Sequence, residues 1–353
     1  MRRLRVLIAD DSSLYRRILD KAVRNAYLEV DITMVGNGLE ALEELPKKRY
    51  DVVLLDVNMP VMDGITALEE IKKKYYELPV IMISATGTQS AKLTMQALEK
   101  GALDFIVKPI DENFEKNLEF VSGYLKKLFD QIVSKSENSN VKKSEKVVDV
   151  PKLKKEIGHI DLVVIASSTG GPSALEKIFF KMDKSFSKPM LLVQHMPPEF
   201  TRVFAENLNK KSAISISEGK EDDVIRAGMA IIAPGGYHMV VERVGAAKRV
   251  VKLLQTPHIC GVRPAANVLF QSVAKEYQGQ NILAVILTGM GNDGVEGVKA
   301  LKMNTNCYCI TQSEETCTIF GMPRCAVEAG ISDEIVDIEN IATRIQQIAE
   351  QGR

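Results

Sequence analysis

Ile165-Ala166-Ser167-Ser168-Thr169-Gly170-Gly171 ends the apolar run Leu162 to Ala166 in a string of small residues. That is the text of a buried parallel strand handing over to a helix. A serine at such a junction is displayed, not packed. Two later stretches end the same way: Met190 to Gln194 runs into His195, and Ile282 to Leu287 runs into Thr288-Gly289-Met290-Gly291-Asn292-Asp293-Gly294. If all three strands are parallel neighbours, a serine, a histidine and an aspartate converge at the carboxyl edge of one sheet, where open α/β sheets bind ligands.

Working outward, the rhythm of short apolar runs and helix-length amphipathic stretches continues through Pro189 to Gln194, Ile214 to Ser217, Met229 to Ala233 and Cys307 to Thr311. Tyr237 to Leu254 interrupts it, alternating apolar and polar residues around Gly245-Ala246-Ala247, which reads as an inserted β-hairpin. The same β/α rhythm fills the first half, with runs at Arg5 to Ala9, Val30 to Val35, Val52 to Leu55, Val80 to Ile83 and Phe105 to Val107. Between the halves, Ser134 to about Glu156 is Ser-, Asn- and Lys-rich with few large apolar residues, an exposed linker by composition. The expected organisation is α/β throughout: residues 1–130, a linker at 131–156, and residues 157–353, each domain a doubly wound parallel sheet.

The 353 residues are too many for one modest core. Lys and Arg number 46 against 46 Asp and Glu, so no overall field favours nucleic acid or an anionic membrane, and no run approaches a spanning helix. The five cysteines all lie in the second half without Cys-x-x-Cys spacing, which suits a reduced, cytoplasmic protein.

The first half puts chemistry at four strand ends: Asp10-Asp11, Asp56, Ser84 and Lys108-Pro109. Gathered carboxylates repel unless a hard cation such as Mg²⁺ joins them, and a lysine beside them suits a phosphoryl group. The pattern points to phosphoryl transfer onto Asp56, with Lys108 gripping the phosphate and the Ser84 hydroxyl contacting it afterwards. The bland reading is helix capping by Asp11 or Ser12 and a turn begun at Asp56. With Met59-Pro60 and Asp63-Gly64 added, residues 4–128 resemble the receiver domains of two-component response regulators. The resemblance implies a flavodoxin-like fold, Mg²⁺ at Asp10, Asp11, Asp56 and the Asn58 carbonyl, phosphate donated by a histidine kinase, and Phe105 as an aromatic switch.

In the second half, Ser168 would be the nucleophile, His195 its base and Asp293 the orienting acid. Backbone amides near Thr169 and Met290 would form an oxyanion hole, the nearby glycines letting backbone approach substrate. The text is not a lipase-type Gly-x-Ser-x-Gly elbow, since Ala166 precedes Ser168 by two. Gly289-Met290-Gly291-Asn292-Asp293-Gly294 also fits a dinucleotide fingerprint, with Glu314 and Glu315 downstream, but that reading leaves Ser168 and His195 idle and sets an acid at the phosphate position.

Residues 161–348 resemble the catalytic domain of the chemotaxis protein-glutamate methylesterases, the CheB family. Ser168-Thr169-Gly170-Gly171, Gln194-His195-Met196-Pro197, Ala233-Pro234-Gly235-Gly236-Tyr237-His238-Met239, Arg263-Pro264, Thr288 to Gly294 and Phe320-Gly321-Met322-Pro323 carry it. It implies the same roles for Ser168, His195, Asp293, Thr169 and Met290, on a Rossmann-like serine hydrolase domain. The Ala166-Ser167 pair departs from the family's usual Gly-Ala and sets a second hydroxyl beside Ser168, leaving open which serine attacks. Arg263, read as opening a helix, would hold an acidic substrate segment or simply face solvent. His238 and His258 lie in turn-rich text, and Cys307 and Cys309 share one strand face as buried small hydrophobes.

The expectation is a hydrolase that needs no cofactor for ester cleavage and uses Mg²⁺ in the receiver. Its substrates would be γ-methyl esters, and glutamines, of methyl-accepting chemotaxis receptors, with no nucleic acid bound and no membrane insertion. The receiver would cover the Ser168 cleft until Asp56 gains charge. A receiver fused to a dinucleotide-dependent oxidoreductase, or to a non-catalytic adapter, stands as the rival reading.

Overall fold

The computed structural model describes residues 3–109, 114–138, 159–245 and 248–350. The chain divides into two compact units, Met1–Glu145 and Lys146–Arg353.

The first unit alternates β1 (Leu4–Ala9), α1 (Ser13–Ala26), β2 (Val30–Val35), α2 (Gly38–Glu44), β3 (Val52–Asp56), α3 (Gly64–Lys74), β4 (Val80–Ser84), α4 (Thr88–Glu99), β5 (Asp104–Val107) and α5 (Phe114–Asn138). The strands form one parallel sheet in the order β2-β1-β3-β4-β5. The chain therefore reverses its direction of travel between β1 and β3, which puts Asp10-Asp11 and Asp56 side by side at the switch point. Every residue of β3 and β4 is buried, as a sheet covered by helices on both faces requires. Local caps start the helices: Ser12 Oγ accepts the Tyr15 amide at α1, and Asp63 accepts the Thr66 amide at α3. Gly64 is required by space, because a Cβ there would lie 1.9 Å from the Asp56 carbonyl oxygen.

The second unit runs β6 (Leu162–Ser167), α6 (Gly171–Phe180), β7 (Met190–Gln194), α7 (Phe200–Lys211), β8 (Ser215–Glu218), β9 (Met229–Ile232), β10 (His238–Val244), β11 (Lys248–Leu254), α8 (Ala266–Glu276), β12 (Asn281–Ile286), α9 (Val295–Asn304), β13 (Asn306–Gln312), α10 (Met322–Glu328), β14 (Glu334–Val336) and α11 (Ile338–Glu350). Seven strands make a parallel sheet ordered β14-β13-β12-β6-β7-β9-β8. β10 and β11 pair antiparallel as their own two-stranded sheet, the expected hairpin, with residues 246–247 of its turn outside the described residues. Leu162, Val164 and Ala166 of β6 join Leu269, Phe270 and Val273 of α8 in one core, and Cys307 and Cys309 lie in it together. Each such buried aliphatic side chain contributes on the order of 1.5–3 kcal/mol relative to exposure.

Two features differ from the sequence expectation. β14 lies outside the expected apolar runs: it is three residues long, sits at the sheet edge and, among the described residues, pairs with β13 alone, too short to show a period. Helix α5 reaches Asn138, into the stretch expected as linker; residues 139–156 of that stretch lie outside the described residues. No helix among the described residues is long and apolar enough to cross a membrane.

Candidate active site

Ser168 is the first residue past β6, and β6 lies between β7 and β12. The register pairs Ser167 with Gln194, and the His195 amide donates to the Ser167 carbonyl at 3.1 Å, so Ser168 and His195 leave neighbouring strand ends together. Neighbouring strands run about 4.8 Å apart, within side-chain reach. On the other flank the Ser168 amide donates to the Thr288 carbonyl at 3.0 Å, and the loop from Thr288 carries Asp293 back toward His195. The β6–β12 boundary is where strand order reverses, the place in an open sheet where loops part and leave a crevice.

The two serines differ in burial. Ser167 is fully buried, and its hydroxyl donates to Gln194 Oε1 at 2.6 Å. Ser168 is partly exposed, with no side-chain hydrogen bond among the described residues. Gly170, at φ 74°, turns the chain into α6 in the left-handed region that glycine enters without strain. Gly289 packs so closely that a Cβ would lie 2.7 Å from Ser168 Cβ and 2.4 Å from Met322 Sδ.

Asp293 is buried, and its carboxylate collects four donors. His195 Nε2 lies 2.8 Å from Oδ2, and the amides of Ala266, Asn267 and Gly294 donate at 2.6, 2.9 and 3.0 Å. Two of those amides open α8, whose positive end favours an anion. Burial pushes the Asp293 carboxyl up, but the hydrogen bond and charge of His195 and the helix amides outweigh it and hold the group below its ordinary value. An ionised carboxylate has no proton to give, so Nε2 of His195 is the donor, and in the neutral ring Nδ1 is the nitrogen left without a proton.

Asn267, which sequence reasoning missed, completes this corner. Its Oδ1 accepts the amides of Gly294 and Gly297 at 3.0 and 2.8 Å while its own amide holds Asp293. Those contacts also settle the glycine-rich loop. It does follow a strand and precede α9, as a dinucleotide fingerprint would, but the amides of Gly294, just before α9, and of Gly297 already donate to Asn267, and Gly294 also to Asp293, so these two are not free for a phosphate. The dinucleotide reading is set aside.

Thr169, which follows Ser168, is buried, and Met290, which follows Gly289, is half-buried; neither backbone amide makes a hydrogen bond among the described residues. Arg263 does not open a helix: it lies three residues before α8, gives Nη1 to the Thr256 carbonyl at 2.9 Å, and keeps a buried Nε without a partner. His238 is structural. Fully buried, it accepts the Ala265 amide at Nδ1 and bonds the Pro257 carbonyl through Nε2, and burial lowers its pKa toward the neutral form.

In the first unit, carboxylate oxygens of Asp10, Asp11 and Asp56 lie within 4.8 Å of one another. Ser12 caps α1, as the capping reading allowed, and Asp63 caps α3; Asp11 and Asp56 cap neither helix. Lys108 Nζ stands 2.9 Å from both Asp10 Oδ2 and Asp56 Oδ2, and 4.5 Å from the centre of the Tyr15 ring. Burial raises the Asp56 carboxyl to about 6 against the opposing pull of Lys108. Asp10 Oδ2 is buried and has the distance but not the geometry of a hydrogen bond with Lys108, an oxygen suited to a cation. Asn58 is exposed in the loop two residues past Asp56, and Phe105 is partly buried on β5. Ser84 does not face the cluster through an unpaired hydroxyl: its Oγ lies 2.7 Å from Thr94 Oγ1 on α4, and the Thr94 hydroxyl also meets the Ser90 carbonyl.

Comparison with known proteins agrees with both halves. Residues 163–345 match the CheB methylesterase family and residues 6–116 the response regulator receiver domain. The chain is 38% identical to a Clostridium acetobutylicum protein named protein-glutamate methylesterase/protein-glutamine glutaminase, across 99% of this chain and 98% of that protein. A Pyrococcus abyssi protein of the same name is 40% identical, with 100% of this chain and 95% of that one covered. The crystal structure of the Thermotoga maritima CheB methylesterase catalytic domain superposes with a TM-score of 0.52 at 34% identity, covering 54% of this chain and 98% of that one. A serine, a histidine and an aspartate leave strand ends of one sheet, and the matches cover both halves of the sequence: the chain belongs to the CheB methylesterase family.

Proposed function

We propose that this chain hydrolyses glutamate γ-methyl esters on methyl-accepting chemotaxis receptors, and that phosphorylation of Asp56 raises the rate. The observation that carries the reading is the pairing of His195 Nε2 with an ionised, buried Asp293, which leaves Nδ1 as the base for Ser168 on the adjacent strand end. Ser168 Oγ attacks the ester carbonyl as its proton passes to Nδ1, and the oxyanion is met by the amides of Thr169 and Met290. The same proton then leaves on methanol. Water attacks the acyl-Ser168 bond, His195 takes its proton, and the glutamate carboxylate departs as Ser168 is restored. A receptor glutamine would follow the same course and release ammonia. Arg263 would steady acidic residues beside the ester.

In the receiver, Asp10, Asp11, Asp56 and the Asn58 carbonyl would hold Mg²⁺, which supplies positive charge to a phosphoryl group in transit. Asp56 accepts the phosphoryl group from a histidine kinase, Lys108 pairs with its oxygens, and Ser84 and Phe105 respond to it. A cytoplasmic location goes with this reading, since kinase and receptor signalling region would both have to reach the enzyme there.

The test is labelling by a fluorophosphonate, which reports an activated serine without needing receptor. Wild type should label and Ser168→Ala should not. Equal labelling of both would overturn the assignment of Ser168, and no labelling of folded wild type would favour the adapter reading.

A further inference from the structure

We propose that Ser167 and Gln194 form an internal clamp that sets the spacing of Ser168 and His195, with Ser167 as a positioning hydroxyl; the inference rests on the esterase reading above. Gln194 is buried at the end of β7, and its side chain turns toward β6. Its Nε2 donates to the Ser168 carbonyl at 3.0 Å and approaches the His195 carbonyl at 3.3 Å, so one amide group spans the backbones of both residues. Its Oε1 is held by the Ser167 hydroxyl at 2.6 Å.

These contacts allow only one orientation of the amide. Turned over, Gln194 would aim its oxygen at two carbonyl oxygens and its NH2 at the hydroxyl. The Ser167 proton is committed to Oε1, because the alternative acceptor, the Val193 carbonyl, is 3.4 Å away. A terminal amide torsion is soft, so the hydroxyl is what fixes it. Gly171 leaves the room: a Cβ there would lie 2.0 Å from Oε1 and 2.9 Å from Ser167 Cβ. None of these atoms reaches the ester. Their effect is on the distance between nucleophile and base, to which the chemical step is sensitive on a sub-ångström scale.

The experiment is a double-mutant cycle on the full chain, measuring kcat and KM for methanol release from a methylated receptor fragment. Ser167→Ala should lower kcat about three- to tenfold with KM unchanged, the loss of one orienting hydrogen bond. Gln194→Ala should lower it further, and Ser167→Ala/Gln194→Ala no further than Gln194→Ala, because the hydroxyl acts only through the amide. Gln194→Met, which keeps the side-chain length without polar atoms, completes the cycle if Gln194→Ala does not fold. An unchanged kcat in Ser167→Ala, losses that multiply in the double variant, or a rise in KM alone would overturn the clamp. Wild-type release persisting in Ser168→Ala would instead overturn the esterase reading itself, so the two failures are told apart.

Discussion

His195 Nε2 stands 2.8 Å from Asp293 Oδ2, and that same oxygen accepts the first amide of α8 from Ala266 at 2.6 Å. The His195–Asp293 pair is therefore tied to a helix start as well as to the sheet edge. Hydrogen bonds to a charged acceptor contribute about 1.5–3 kcal/mol each, which offsets the cost of burying the carboxylate.

Asp293→Asn removes the charge and turns an NH2 toward at least one helix amide. Methanol release should fall by about three orders of magnitude or more, measured as kcat at neutral pH. Because the folded-state pKa of Asp293 is depressed, its contribution to stability is present above the ordinary value of 3.8 and is lost as pH falls below it. Urea unfolding should show the stability gap between wild type and Asp293→Asn narrowing below about pH 4. A gap independent of pH would contradict an ionised Asp293.

Gly289→Ala drives a methyl group against Ser168 Cβ and Met322 Sδ, at 2.7 and 2.4 Å before relaxation. Overpacking of this kind costs about 1–3 kcal/mol. Fluorophosphonate labelling should slow by at least about tenfold, since Ser168 has to move. Labelling at the wild-type rate would mean that the loop yields instead of the serine.

Asp56 has a raised carboxyl, about 6 against the ordinary 3.8, with burial as the main cause. The folded state therefore holds a proton that the unfolded state releases between about pH 4 and 6, and charged Asp56 weakens the metal-free receiver above that window. In EDTA, Asp56→Asn should slow hydrogen exchange of β3 and β4 at pH 7 by an amount on the order of 1–3 kcal/mol. The gain should shrink as pH falls from 6 toward 4. A gain that grows on acidification has the wrong sign for this account.

Thr94→Val keeps the shape of α4 but leaves the Ser84 hydroxyl without the partner now 2.7 Å away. The unphosphorylated form loses a hydrogen bond of about 0.5–1.5 kcal/mol, and a phosphoryl group on Asp56 then competes for the Ser84 hydroxyl with the more distant Ala85 carbonyl, 3.3 Å away. The acetyl phosphate concentration for half-maximal activation should fall about three- to tenfold. No change, or a rise, would place Ser84 outside the response.

Much of this was legible in the sequence because strand-end chemistry is local. Asp10, Asp56, Lys108, Ser168, His195 and Asp293 each follow an apolar run, and parallel topology then carries them to one edge of their own sheet. What stayed hidden is tertiary. Asn267 reads as one polar residue at the start of a helix, and only the fold brings Gly294 and Gly297 to its oxygen. Ser167 could not be separated from Ser168 by text alone, because the alternation of a strand end says little about which hydroxyl is sealed in. Tyr15 reaches Lys108 across the sheet edge, and nothing in the spacing of the two announces it.

The most direct test of the central claim is methanol release from a methylated chemoreceptor fragment by wild type, Ser168→Ala and Asp56→Asn, each with and without acetyl phosphate and Mg²⁺. The account predicts release by wild type that rises with acetyl phosphate, none from Ser168→Ala under either condition, and a basal rate in Asp56→Asn that acetyl phosphate leaves unchanged. Release by Ser168→Ala, or activation that survives Asp56→Asn, would contradict it.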